Sequence, residues 1–289
     1  MDSTLGTRHL AEPVSEVSCL LGESPLWDPA GTLYWLDVDG RILHKLHSGA
    51  TPTSVSLERR VTAIELGPAD ELVAAAGDSV AWCDPVSGKL RDWPCGLATD
   101  AGTNDAAVAP DGSFWLGTVY PDRRPEGSLF SVTPTSAAAC VLGGLRLSNG
   151  MDWSPDGRVL YHADSVPGHI WKWDYDRRDR HLAGGEVLAR IPGSTGMPDG
   201  LCVDLQGQVW VALWGAGQVW CLDGDSGAVC ATVDLPTTLA TSCEFGGDDL
   251  ETLYITTAWR SGDRRSGLLY AVEPGAQGQR PRHVAEPAA

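Results

Sequence analysis

The chain has 289 residues, with 21 Lys and Arg against 38 Asp and Glu and a formal charge of −17. That balance excludes a phosphate-backbone binder held by clustered cations, so no nucleic-acid partner is expected. At 43% hydrophobic and 20% charged residues, the composition is that of a globular chain able to bury a core, neither disordered nor collagen-like.

Met1 to Val17 lacks the apolar stretch of a secretion signal, and no later run reaches the roughly 18 apolar residues of a membrane span. The expected location is cytoplasmic, with no membrane partner. Downstream, 34 Gly and 19 Pro punctuate the whole chain, which predicts many short strands joined by tight turns rather than long helices. Six segments superpose as a turn followed by a strand: Asp28 to Trp35, Gly67 to Ala74, Ala109 to Leu116, Ser154 to Tyr161, Asp204 to Val211 and Gly246 to Tyr254. Their starts are 39 to 50 residues apart, the repeat length of a propeller blade. Enough chain lies outside the first and last starts to finish a sixth blade, with the N-terminal segment helping to close the ring. The predicted fold is all-β, a six-bladed β-propeller forming one domain over residues 1–289. Two smaller β-domains are the alternative, but no linker-like stretch divides the chain.

Five residues before each turn stand Glu23, Thr62, Asn104, Asn149, Asp199 and Thr241, all carrying side-chain oxygen. Three and one residues before it stand Pro25/Trp27, Ile64/Leu66, Ala106/Val108, Met151/Trp153, Leu201/Val203 and Cys243/Phe245, the strand face expected to pack between blades. Equivalent positions of a radial repeat lie on a ring, so the six polar residues are expected to converge at one end of the central channel. Converging carboxylates raise each other's pKa unless a cation neutralises them. Glu23, Asp199 and the amide oxygen of Asn149 therefore predict a divalent metal site on the central axis, with an all-oxygen set that suits Ca2+, Mg2+ or Mn2+. Water at the remaining positions would leave the ion usable as a Lewis acid. For any single residue the alternative is a strand-start cap. Asp28, Asp37, Asp152 and Asp204 are expected to be turn or surface carboxylates. The eight cysteines form no C-x-x-C pair and are expected to be reduced and mostly buried.

These segments also carry a resemblance. Gly22-Glu-Ser-Pro-Leu-Trp-Asp, Asn104-Asp105, Ser148-Asn-Gly-Met-Asp-Trp-Ser-Pro-Asp-Gly, Pro198-Asp-Gly-Leu and Thr241-Ser-Cys-Glu-Phe-Gly-Gly together resemble the SMP-30/gluconolactonase/regucalcin family from about Cys19 to Ala258. The resemblance implies hydrolysis of a sugar lactone with one divalent ion, Ca2+ before Mg2+, Mn2+, Zn2+ or Fe2+. It implies Glu23, Asn149 and Asp199 as ligands, Asp199 also as general base, and Asn104 and Asp122 as substrate contacts. One departure stands out: many sugar lactonases of the family carry an Arg two residues before the Asn-Asp pair, where this chain has Gly102. Arg146, Arg123 and Arg124 are the expected sources of a replacement charge. Hydrolysis of another ester or phosphoester on the same scaffold, and calcium binding without turnover, are the competing functions.

Overall fold

Tight turns with alternating apolar strands leave each repeat one solution, an antiparallel sheet stacked on its neighbours. The computed structural model describes residues 6–97 and 99–285, and they form six such sheets with no helix. Blades 1 to 4 run from the inside outward in chain order, with inner strands Gly22–Asp28, Val61–Leu66, Gly102–Val108 and Ser148–Trp153. Blade 5 begins at Met197–Val203 and blade 6 at Ala240–Gly246.

The N-terminal segment closes the ring as expected: Glu12–Pro13 pairs antiparallel with Tyr270–Val272 as the outer strand of blade 6. Thr7–Leu10 adds a parallel fifth strand to blade 5 beside Val229–Asp234. One short segment thus ties the two last blades together.

Six hydrophobic clusters fill the six seams between blades. The residues assigned to the packing face, from Pro25 and Trp27 round to Cys243 and Phe245, are all buried. The seam between blades 6 and 1, where the last blade meets the first, has the smallest cluster: Cys19, Trp27, Leu33, Trp35 and Leu269.

Behind the last blade the chain turns back across the end of the ring opposite the Glu23 end of the inner strands. Gly278 bridges to Asp204 and His283 to Leu66, and the Ala285 amide donates to the Gly112 carbonyl at 2.9 Å. Gln279 and Arg282 reach from this strap into the central channel. All eight cysteines are unpaired, and all but Cys140 and Cys230 are buried.

Candidate active site

Every inner strand breaks its register at the polar ring position. The irregularities fall between Glu23 and Leu26, Val61 and Ala63, Thr103 and Ala106, Ser148 and Met151, Pro198 and Leu201, and Ala240 and Ser242. A bulge adds a residue to one strand and re-aims its side chain, which takes the ring residue out of the pleat. Asn149 and Asp199 are each followed by a glycine because the inner strands crowd together there. A Cβ on Gly150 would run into the Leu201 amide, and one on Gly200 into the Ser242 side chain.

The ring residues divide into two kinds. Thr62 donates its hydroxyl to the Asn104 carbonyl at 2.7 Å, and Thr241 donates to the Gly22 carbonyl at 2.6 Å. Both hydroxyls stitch neighbouring inner strands, so these two expected members of the ring are structural. Glu23, Asn104 and Asn149 line a small axial cavity with Arg60, Thr62, Asp105, Leu21 and Val38. Asn149 and Asp199 are 8% exposed. Asn149 donates from Nδ2 to Ser165 Oγ at 3.0 Å, which turns its Oδ1 away from that partner. Asn104 donates from Nδ2 to the Ser148 carbonyl at 2.8 Å and to Asn149 Oδ1 at 3.2 Å. Its own Oδ1 takes no hydrogen bond from the described residues.

Glu23 is held well above the usual carboxylate range by burial, then by the charges of Asp199 and Asp105, with the Ser24 amide and Arg60 opposing. Asp199 is likewise raised by burial and then by Asp105, against the Asn149 amide and Arg123. Burial pushes Asp105 up to about 6. Three buried carboxylates beside two neutral amide oxygens are donors of the kind a hard divalent ion takes, so the residues present fit such an ion, whose charge would offset the carboxylates beyond what Arg60 and Arg123 supply.

Of the arginines the sequence pointed to, Arg123 lies near enough for its charge to act on Asp199, while Arg146 and Arg124 are engaged elsewhere. Arg146 donates through Nε to the Arg123 carbonyl at 3.2 Å and holds that loop. Arg124 pairs with Glu126 at 2.8 Å and lies over the Tyr120 ring. Asp122 sits on the same exposed loop, 3.6 Å from Arg124, and does not line the cavity. Arg60 lines the cavity instead, with Asp39 at 3.4 Å. A signal for it existed: Arg60 stands two residues before Thr62, the register in blade 2 that Gly102 occupies in blade 3.

A second acidic ring lies deeper along the channel. Glu65, Asp152 and Glu244 each precede their turn by two residues and face the space into which Arg282 projects. Asp152 accepts from Arg282 Nη1 and from the Val203 amide, at 2.9 and 2.8 Å, so it is a channel residue and not a turn or surface carboxylate. Asp37 serves its turn by accepting from the Gly40 amide, but it is buried rather than at the surface and also accepts from the Leu20 and Leu21 amides. Asp28 and Asp204 do serve their turns, accepting from the Ala30 and Gln206 amides.

The similarities of the chain agree with this geometry. It is 31% identical to a regucalcin of Xenopus laevis, over 87% of this chain and 90% of that protein. It is 30% identical to YvrE of Bacillus subtilis, named provisionally as a sugar lactone lactonase, over 84% and 85% of the two chains. A crystal structure described as a calcium-binding protein, regucalcin, from Agrobacterium tumefaciens superposes with a TM-score of 0.89 at 26% identity, covering 98% of this chain and 100% of that one. Residues 21–259 match the SMP-30/Gluconolactonase/LRE-like region. That span takes in all six inner strands and every residue of the axial cavity, so the chain belongs to the SMP-30/gluconolactonase/LRE-like family.

Proposed function

We propose that this protein is a divalent-metal-dependent lactonase that opens a sugar lactone or related lactone to its hydroxy acid, acting in the cytoplasm. The observation that carries this reading is the enclosure of Glu23 and Asp199 with the oriented Asn149 amide at one end of the channel. Family membership and the name borne by the Bacillus relative support the reaction class. Glu23, Asn149 and Asp199 would hold the ion. A divalent cation bound there, Ca2+ by preference, supplies neutralisation of the carboxylates and Lewis-acid polarisation of the lactone carbonyl.

The remaining chemistry belongs to the chain. Asp199 Oδ takes a proton from the attacking water as its oxygen bonds to the carbonyl carbon. The ring C–O bond then breaks, and the same proton passes from Asp199 to the departing alkoxide. Asn104, with Oδ1 free, accepts from a substrate hydroxyl. Leu21 and Val38 exclude water from one side of the cavity. Asp122, on the rim, meets only parts of a substrate that protrude from the mouth.

Proton release from δ- and γ-aldonolactones by chelator-stripped protein tests the reading, with Ca2+, Mg2+, Mn2+, Zn2+ and Fe2+ restored singly. Turnover above spontaneous hydrolysis is expected with at least one ion. Asp199→Asn is expected to lower kcat by about 1000-fold or more while metal affinity falls far less, and Glu23→Gln to lose chiefly metal affinity. Metal binding without turnover on any lactone would overturn the proposal in favour of a binding protein or another ester substrate.

A further inference from the structure

The seam between blades 6 and 1 holds a second group of ligand-type side chains, unconnected with the axial ring. Cys19, Asp37 and His44 are 2%, 4% and 4% exposed, and one ligand atom from each lies within 4.8 Å of the others. Among the described residues no other trio of His, Cys, Asp or Glu comes together in this way. No hydrogen bond joins the three side chains to one another. Asp37 spends its contacts on three backbone amides, which fix the position of its carboxylate but leave lone pairs.

Two buried polar atoms here lack a normal hydrogen bond: His44 Nε2, and Trp35 Nε1, which faces only the weak acceptor sulfur of Cys19. His44 Nδ1 is 2.7 Å from Ser54 Oγ, and its ring stacks on Trp35 with centroids 5.1 Å apart. With Nδ1–H donated to Ser54, Nε2 presents a bare lone pair inside the protein, an arrangement typical of a ligating histidine held by an outer hydrogen bond. Leaving such an atom unsatisfied in a core is unfavourable. A metal bound to His44 Nε2 and to the Cys19 sulfur removes the first deficit. The resulting thiolate is an acceptor for the Trp35 indole N–H, whose ring shares the hydrophobic cluster of Cys19, and removes the second.

We infer that Cys19, Asp37 and His44 form a structural zinc site that pins the closure seam of the propeller. Thiolate and imidazole donors select Zn2+ over Ca2+ or Mg2+. Three protein ligands leave the fourth position of a tetrahedral ion to water or to the second Asp37 oxygen. The location has a reason: Cys19 lies in the segment that leads into blade 1, where its amide donates to the Gly267 carbonyl at 2.8 Å, so an ion shared with Asp37 and His44 of blade 1 anchors that segment beside the seam with the fewest buried apolar residues of the six.

The test uses the full-length chain carrying Glu23→Gln, so that axial binding does not contribute. About one equivalent of zinc per chain is expected to survive brief chelation. Added Co2+, after zinc removal, is expected to give the near-ultraviolet charge-transfer band of a cobalt thiolate. Cys19→Ser and His44→Gln should each abolish the band and weaken zinc binding at least about 100-fold, while Cys140→Ser, at the exposed thiol, should leave both unchanged. Absence of zinc and of the band, or a band that persists in Cys19→Ser, overturns the inference. Should those variants not fold, zinc-edge X-ray absorption of the Glu23→Gln protein decides it: one sulfur neighbour near about 2.3 Å is expected, and a shell of only nitrogen and oxygen overturns it.

Discussion

Arg60 occupies in blade 2 the register that Gly102 leaves empty in blade 3, and its guanidinium is the cation that borders the axial cavity. Moving that charge by one blade changes which edge of a lactone it meets while leaving the proposed ligands in place. Arg60→Gln is therefore expected to raise KM by about tenfold, more for lactones bearing a carboxylate than for neutral ones, with kcat changed less; steady-state kinetics on the two classes checks this. Glu244 offers a second test at this scale. Burial and then Asp152 push its carboxyl from 4.5 up to about 8. Between those values the folded state keeps a proton that the unfolded chain has released, so stability falls as pH rises through the window. Glu244→Gln removes that contribution, and its thermal midpoint is expected to fall less than the wild-type midpoint between pH 5 and pH 8. The polar ring positions were legible in the sequence because a repeat turns equal spacing into equal height. Arg60 and the deeper ring of Glu65, Asp152 and Glu244 obey the same rule, but they interrupt otherwise apolar strands at three or fewer blades, and a partial register is hard to tell from surface polarity.

The inner strands carry the site because each is bulged where its ring residue stands. The bulges and the close approach of neighbouring strands require one another, and the glycines after Asn149 and Asp199 make the approach possible. Gly200→Ala would set its methyl against Ser242 and force blades 5 and 6 apart. The expected cost is about 1–3 kcal/mol of stability, with a larger loss of activity than stability alone explains, since Asp199 moves with the strand; urea unfolding and kinetics on the same sample separate the two. Sequence spacing located these strands well, including their buried faces. It could not foresee that Thr62 and Thr241 would turn to a neighbour's carbonyl, because that choice depends on which backbone oxygen the adjacent strand presents. Nor does pattern within one blade register that Thr7–Leu10 joins blade 5 while the next two residues of strand join blade 6.

At the scale of the whole molecule, the strap from Gly278 to Ala285 spans one end of the ring, and Arg282 faces Glu65, Asp152 and Glu244 from it. Arg282→Ala leaves those carboxylates without their cation and is expected to lower stability by about 2 kcal/mol or more, with partial rescue in a Glu244→Gln background, as read from denaturant midpoints. Six blades and their order followed from the repeat, but the strap did not, for it contains no turn-and-strand signature and owes its position to carbonyls and carboxylates supplied by blades 2 to 6. It lies across that end of the channel, with Gln279 and Arg282 lining the space beneath it. In the proposed reaction the lactone enters and the hydroxy acid leaves on the side of Glu23 and Asp199, so the product is expected to clear before the next turnover begins. The opened acid carries a new carboxylate past Arg60 on its way out, and release of that anion, rather than ring opening, is then the step whose rate answers to added salt.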